Sequence, residues 1–330
     1  MSSSAPAHVI AGHRPIRTLG WTVLAALAAF LINNILSLGM DWPGATAPWQ
    51  ATADQLLAWL QLALYPALAV LFVWWFVIRQ SAMTLRDDAE RIARFNGFIV
   101  RAAFWGVVLV GLADAALSFV RVEGMLDSLV GHELATDLGR SAYRGPMIQI
   151  PLLLVGVLIA LFTRGLGFHW LALLIVAAEL TIVITRFVFS YEQAFMGDLV
   201  RFWYAALFLF ASAYTLYEDG HVRVDVFYAN FSPTRRGAIN AFGSLFLGLI
   251  FCWVILWVGM GSKTSIINAP LLNFEVSQSG FGMYVKYLMA GFLGIFAITM
   301  MIQFVSYLLE AWADLRDEPG KRQPAPATAH

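Results

Sequence analysis

Residues 147–188 read MIQIPLLLVGVLIALFTRGLGFHWLALLIVAAELTIVITRFV: two long apolar runs separated by Thr163, Arg164, Gly165, Leu166 and Gly167. A helix needs about 20 mostly apolar residues to cross the hydrocarbon core of a bilayer. The runs 147–163 and 168–188 are of that order, so the short link predicts a tight helical hairpin that crosses a membrane and returns. Pro151 lies in the first turns of the first run, where N–H groups are spare and proline is tolerated.

Outward from this hairpin, the same criterion marks 18–40, 55–78, 98–120, 199–217, 237–260 and 287–312, eight spans in all. The expected fold is an all-α integral membrane protein. Composition agrees: of 330 residues, 60% are hydrophobic and 13% charged, against about 25% charged in soluble domains. So few charges cannot clothe a soluble enzyme of this length. Lys plus Arg equals Asp plus Glu at 21 each, which leaves no basic excess for nucleic acid. Cys252, the sole cysteine, excludes an intramolecular disulfide and a thiolate cluster.

Basic residues set the expected orientation. With both termini cytoplasmic, that side collects 14 Lys and Arg, including Arg86, Arg91, Arg94, Arg235 and Arg236, and the other side collects 7. Trp42, Trp49, Trp59, Trp105, Trp170 and Trp312 lie toward span ends, where amphipathic rings favour the interface. A cleaved signal at 14–45 is disfavoured because its apolar run exceeds the usual h-region. The stretch 122–145 is the longest external segment, with room for one short amphipathic helix. Residues 316–330, rich in proline, read as a disordered cytoplasmic tail.

Polar groups inside spans are costly and usually face protein or water. The candidates are Asn33 and Asn34 in the first span, Asp114 in the third and Glu179 in the fifth. Asp114 precedes Arg121 by seven residues and Glu179 precedes Arg186 by seven, so each acid shares a helix face with its arginine. Each acid is expected to pair with a neighbouring helix; the alternative is an ion or proton path. No histidine sits in mid-span to hold a haem, and no phosphate loop, catalytic triad or zinc motif is present. No cofactor, metal or catalytic residue is expected.

The loop after the sixth span reads Glu218-Asp219-Gly220-His221-Val222-Arg223-Val224-Asp225-Val226-Phe227-Tyr228, then Phe231-Ser232-Pro233. Residues 221–228 alternate polar and apolar, a pattern for a short interfacial segment. Ser232-Pro233 then starts a helix as N-cap and first residue. By itself this is an elbow that meets headgroups through Arg235 and Arg236.

That elbow resembles the signature of the small membrane subunit, the DctQ type, of tripartite ATP-independent periplasmic (TRAP) transporters. Ile184-Thr185-Arg186-Phe187-Val188-Phe189, followed by Glu192 and Asp198, is similar to the end of that family's first helix and the loop after it. The resemblance covers about residues 165–315, four spans. It implies a non-catalytic partner of a large DctM-type transport subunit, in a bacterial inner membrane. A DctP-type periplasmic protein would deliver an organic acid for sodium-coupled uptake. His221, Arg223, Asp225, Arg235 and Arg236 would fix the inner elbow against the partner or phospholipid, and Arg186, Glu192 and Asp198 would shape the outer face. The departure from the family is the N-terminal half: residues 1–164 form an extra four-helix module. Two further readings are a stand-alone carrier with Asp114 and Glu179 on its path, and a redox-enzyme anchor.

Overall fold

The computed structural model describes residues 13–49, 54–165, 167–218, 228–274 and 282–320. Among these the chain is entirely helical. Eight helices are long and apolar enough to cross a membrane: α1 (Arg14–Gly39), α2 (Gln55–Ile78), α3 (Leu85–Val122), α6 (Ser141–Phe162), α7 (Phe168–Val188), α8 (Met196–Tyr217), α9 (Pro233–Met260) and α11 (Lys286–Leu315). Three short α-helices lie between them among the described residues: α4 (Leu126–Val130), α5 (His132–Leu138) and α10 (Asn268–Asn273). In lipid, backbone groups have no water to bond, and a helix satisfies them within itself.

Two boundaries differ from the sequence reading, both for local reasons. Helix α3 runs 38 residues, roughly 57 Å at 1.5 Å per residue, because the charged stretch before its apolar part continues the helix. Asp87 and Asp88 fall in its first turn, where acids favour the helix dipole. Helix α6 starts at Ser141 instead of 147, which takes Arg144 out of the loop and into the helix. Segment 122–145 holds two short helices, not one. Leu126, Ala135 and Leu138 pack on Leu117, Val120, Tyr143 and Ile148, so this segment carries a small core of its own.

Contacts divide the chain into two compact units: residues 1–95, 216–254 and 300–330, and residues 96–215 and 255–299. Each draws on sequence from both sides of residue 165. In the first unit α1 and α2 form an antiparallel pair. Asn33 Nδ2 donates to the Gln61 carbonyl at 3.0 Å, Gln61 Nε2 to Ser37 at 3.1 Å, and Gly44 N–H to Gln61 Oε1 at 2.7 Å. Toward its end α2 widens into a π-type turn over Val73–Ile78. Trp21 stacks on Phe76 there, with centroids 3.8 Å apart. Helix α9 opens at Pro233 with Ser232 as its N-cap. Its Gly237 lies so close to α11 that an added Cβ would stand 2.5 Å from the Leu315 nitrogen.

In the second unit α3 is the central helix. Phe104, Val107 and Val110 are buried on it, and Trp203 of α8 donates from Nε1 to the Val107 carbonyl at 3.3 Å. Helix α6 lies against α3 backbone to backbone at Gly106 and Gly156: a Cβ on Gly156 would stand 2.6 Å from the Gly106 nitrogen. Small residues permit such an approach, and in lipid close packing is what holds helices together. Gly167, at φ +71°, turns the chain from α6 into α7; a Cβ there would also strike Phe104.

Substituting Gly156→Leu puts side-chain atoms where the α3 backbone lies, and overpacking of this kind costs about 1–3 kcal/mol. A lowered melting temperature of the detergent-purified protein is expected. Gly243→Ala, whose Cβ meets nothing within 4 Å, should leave it unchanged.

Candidate functional site

The polar chemistry of the described residues concentrates on α3. Asp114, in its apolar half, is 1% exposed and Arg144 of α6 is fully buried. Arg144 Nη1 donates to Asp114 Oδ1 at 3.0 Å, and Gln149 Nε2 to the same oxygen at 3.1 Å. The other oxygen, Oδ2, accepts the Tyr284 backbone N–H at 2.8 Å. Arg144 also donates through Nε to the Leu138 carbonyl, Gln149 Nε2 bonds the Tyr284 carbonyl at 3.0 Å, and the Tyr287 hydroxyl donates to Gln149 Oε1. Arg121 bonds the Tyr284 hydroxyl and the Gly282 carbonyl. The guanidinium carbons of Arg121 and Arg144 each lie 4.6 Å from the Tyr284 ring centre, within cation–π range. One carboxylate thus joins α3, α6 and the start of α11. It is an anchor: both its oxygens are occupied by donors, and the charge is neutralised in place.

A second buried pair lies nearer the start of α3. Arg17 of α1 donates through Nε to Asp88 Oδ2 at 2.6 Å, and Trp21 Nε1 donates to the same oxygen at 3.1 Å. Arg17 Nη2 reaches the carbonyls of Phe76 and Gln80, at 2.6 and 3.1 Å. A helix end leaves carbonyls without partners, and Arg17 supplies donors to one in the last turn of α2 and one just beyond it. Arg86 ties α3 to the end of α11 through Glu310 at 3.2 Å, Asp314 at 2.9 Å and the carbonyls of Glu318 and Pro319. His13 meets Glu318 at 2.7 Å.

The residues singled out in the sequence fall differently. Glu179 is exposed at the middle of α7, and Arg186 and Glu192 are exposed. Asp198 is half-buried at the start of α8, accepts the Met283 N–H at 3.2 Å and lies 3.6 Å from Arg201. Arg235 is exposed; Arg236 folds back to the Phe231 carbonyl at 3.0 Å and over the Tyr228 ring. His221, Arg223 and Asp225 lie outside the described residues. Beyond the end of α7, the Tyr191 hydroxyl donates to the Glu123 carboxylate, which raises its pKa above the ordinary value. Arg17, Asp88, Arg144 and Gln149 were not legible as site residues, since each reads as loop, helix-end or ordinary span polarity. The one available signal was Asp114 itself, which required a nearby cation.

Eight helices long and apolar enough to cross a membrane define a multi-pass membrane protein. Residues 174–314 match the family model of tripartite ATP-independent periplasmic transporters, DctQ component. Over these residues the chain is similar to the DctQ component of a TRAP transporter, a transporter-subunit family, and additional helices precede the matched stretch. No curated protein and no solved structure matches it.

Removing one partner of a buried ion pair strands the other, at about 3–5 kcal/mol. Asp114→Ala should therefore lower the melting temperature in detergent far more than Glu192→Ala at an exposed position. The double variant Asp114→Leu/Arg144→Met should recover much of the loss, because it leaves no lone charge.

Proposed function

We propose that this chain is the small permease subunit of a TRAP transporter, a scaffold for a large membrane subunit that performs sodium-coupled uptake of an organic acid. The observation that carries this reading is the DctQ match across 174–314, which takes in most of α7, the whole of α8 and α9, and nearly all of α11. The partners it implies by family are a DctM-type membrane subunit and a DctP-type periplasmic binding protein. The setting is a bacterial inner membrane with both termini cytoplasmic, as the two-to-one distribution of Lys and Arg favours.

The interior chemistry supports a scaffold. A carrier needs binding favourable enough to hold its cargo and weak enough to release it, usually beside broken helices near mid-depth. Asp114 instead holds three donors from its own chain. Residues 1–164 would form an additional module before the DctQ domain at 165–315, with 316–330 as tail. The elbow residues His221, Arg223, Asp225, Arg235 and Arg236 would meet the large subunit or phospholipid on the inner side, and Arg186, Glu192 and Asp198 the outer face.

Purification of the tagged chain from its native membrane in mild detergent should recover a larger polytopic protein in about equal amount. Liposomes holding both chains, with the binding protein outside, should take up solute in response to a sodium gradient, and liposomes holding this chain alone should not. Transport by the chain alone would refute the scaffold reading. Joint alanine substitution of His221, Arg223 and Asp225 should reduce complex yield and uptake together; unchanged values for both would remove the elbow from the interface.

A further inference from the structure

We infer that α7 receives a transmembrane helix of the large subunit along its uncovered side, and that Glu179 selects that helix by charge. The identity of the partner rests on the proposed function; the surface is read from α7 itself.

Helix α7 carries two seams. Leu171, Ile175 and Ala178 are buried, and Ile182 and Thr185 half-buried. Steps of four, three, four and three are the heptad spacing of a packed helix. On the nearly opposite side, Leu173, Val176, Leu180, Val183 and Phe187 recur at three, four, three and four. All five are exposed, from 48% for Val183 to 79% for Phe187. The second seam thus has the spacing of the first without its cover among the described residues.

Exposed aliphatic side chains alone are what lipid accepts. Glu179 is what lipid does not explain. It is exposed and makes no hydrogen bond or ion pair with the described residues. With eleven residues of α7 before it and nine after, it stands roughly 16 Å from one helix end and 13 Å from the other. A charge at that depth is costly and normally faces protein. Its place in the heptad is also informative. Glu179 immediately precedes the seam residue Leu180, at the flanking position through which paired helices choose partners by charge. Arg186 immediately precedes Phe187, the same position one heptad later, so the seven-residue spacing of acid and arginine marks the flank of one seam.

The complementary helix therefore presents a Lys, Arg or strong hydrogen-bond donor near mid-depth and an acid one heptad away, beside an apolar seam. A second copy of this chain fits poorly, because a two-fold contact through α7 brings the same patch against itself and sets Glu179 toward Glu179, like charge against like charge.

The test is photo-cross-linking in native membranes that contain the whole complex, with p-benzoylphenylalanine in place of Leu180 or, as a control, of the buried Ile175. The expected result is an adduct with the large subunit from position 180 and not from 175, reduced about tenfold by Glu179→Lys. Glu179→Gln, which keeps size and hydrogen bonding, should retain more adduct than Glu179→Lys. An adduct between two copies of this chain, or with lipid alone, overturns the inference. So does an adduct that Glu179→Lys leaves unchanged. If the unsubstituted chain is recovered without a large subunit, the proposed function fails; if the large subunit is recovered but does not cross-link at 180, only the seam fails.

Discussion

A charge placed in hydrocarbon must be given a partner, because no water is there to solvate it. This constraint organises the described structure. Helix α3 carries two buried carboxylates, and each is met by a guanidinium from another helix: Asp88 by Arg17, Asp114 by Arg144. The arginine is well suited to the task, since its fork reaches backbone carbonyls as well as the acid. Arg17 thereby serves the end of α2 and Arg144 the Leu138 carbonyl. Removing a partner would leave a lone charge, so the pairs fix which helices pack even where they add little net stability.

Close packing supplies what charge pairing does not. Lipid tails are as apolar as leucine, so helices gain little by hiding apolar surface from them. Contact depends on shape, and on glycine where backbones meet, as at Gly106 and Gly156. The two devices occur together on α3, which has Gly106 and Gly111 in the same apolar half as Asp114. Trp203 fills the space over Gly111 and bonds the carbonyl one turn before it. On the proposed scaffold reading such close contacts are useful, because a scaffold must hold its helices still.

Helix α7 is the exception. Its inward seam is packed, its outward seam is bare, and its carboxylate is unpaired among the described residues. The DctQ match begins within this helix, at residue 174, so the bare surface lies almost wholly in the part shared with the family. The helices before it supply anchoring residues that the match does not cover, Arg17, Asp88, Asp114 and Arg144.

The number and kind of spans were legible because about 20 apolar residues admit few alternatives to a helix in lipid. The likeness to the DctQ family was legible in the residues around the elbow, and the α9 start in Ser232-Pro233, both local in sequence. The partners of the charges were not. Asp114 shares a helix face with Arg121, yet the chain folds so that Arg144, 30 residues on, takes the carboxylate, while Arg121 turns to Tyr284. Spacing along one helix gives direction only, and which neighbour arrives there depends on how helices distant in sequence pack. The same holds for Glu179: its spacing to Arg186 was visible in the sequence, but that it faces outward was decided by the packing of Leu171, Ile175 and Ala178 on the other side.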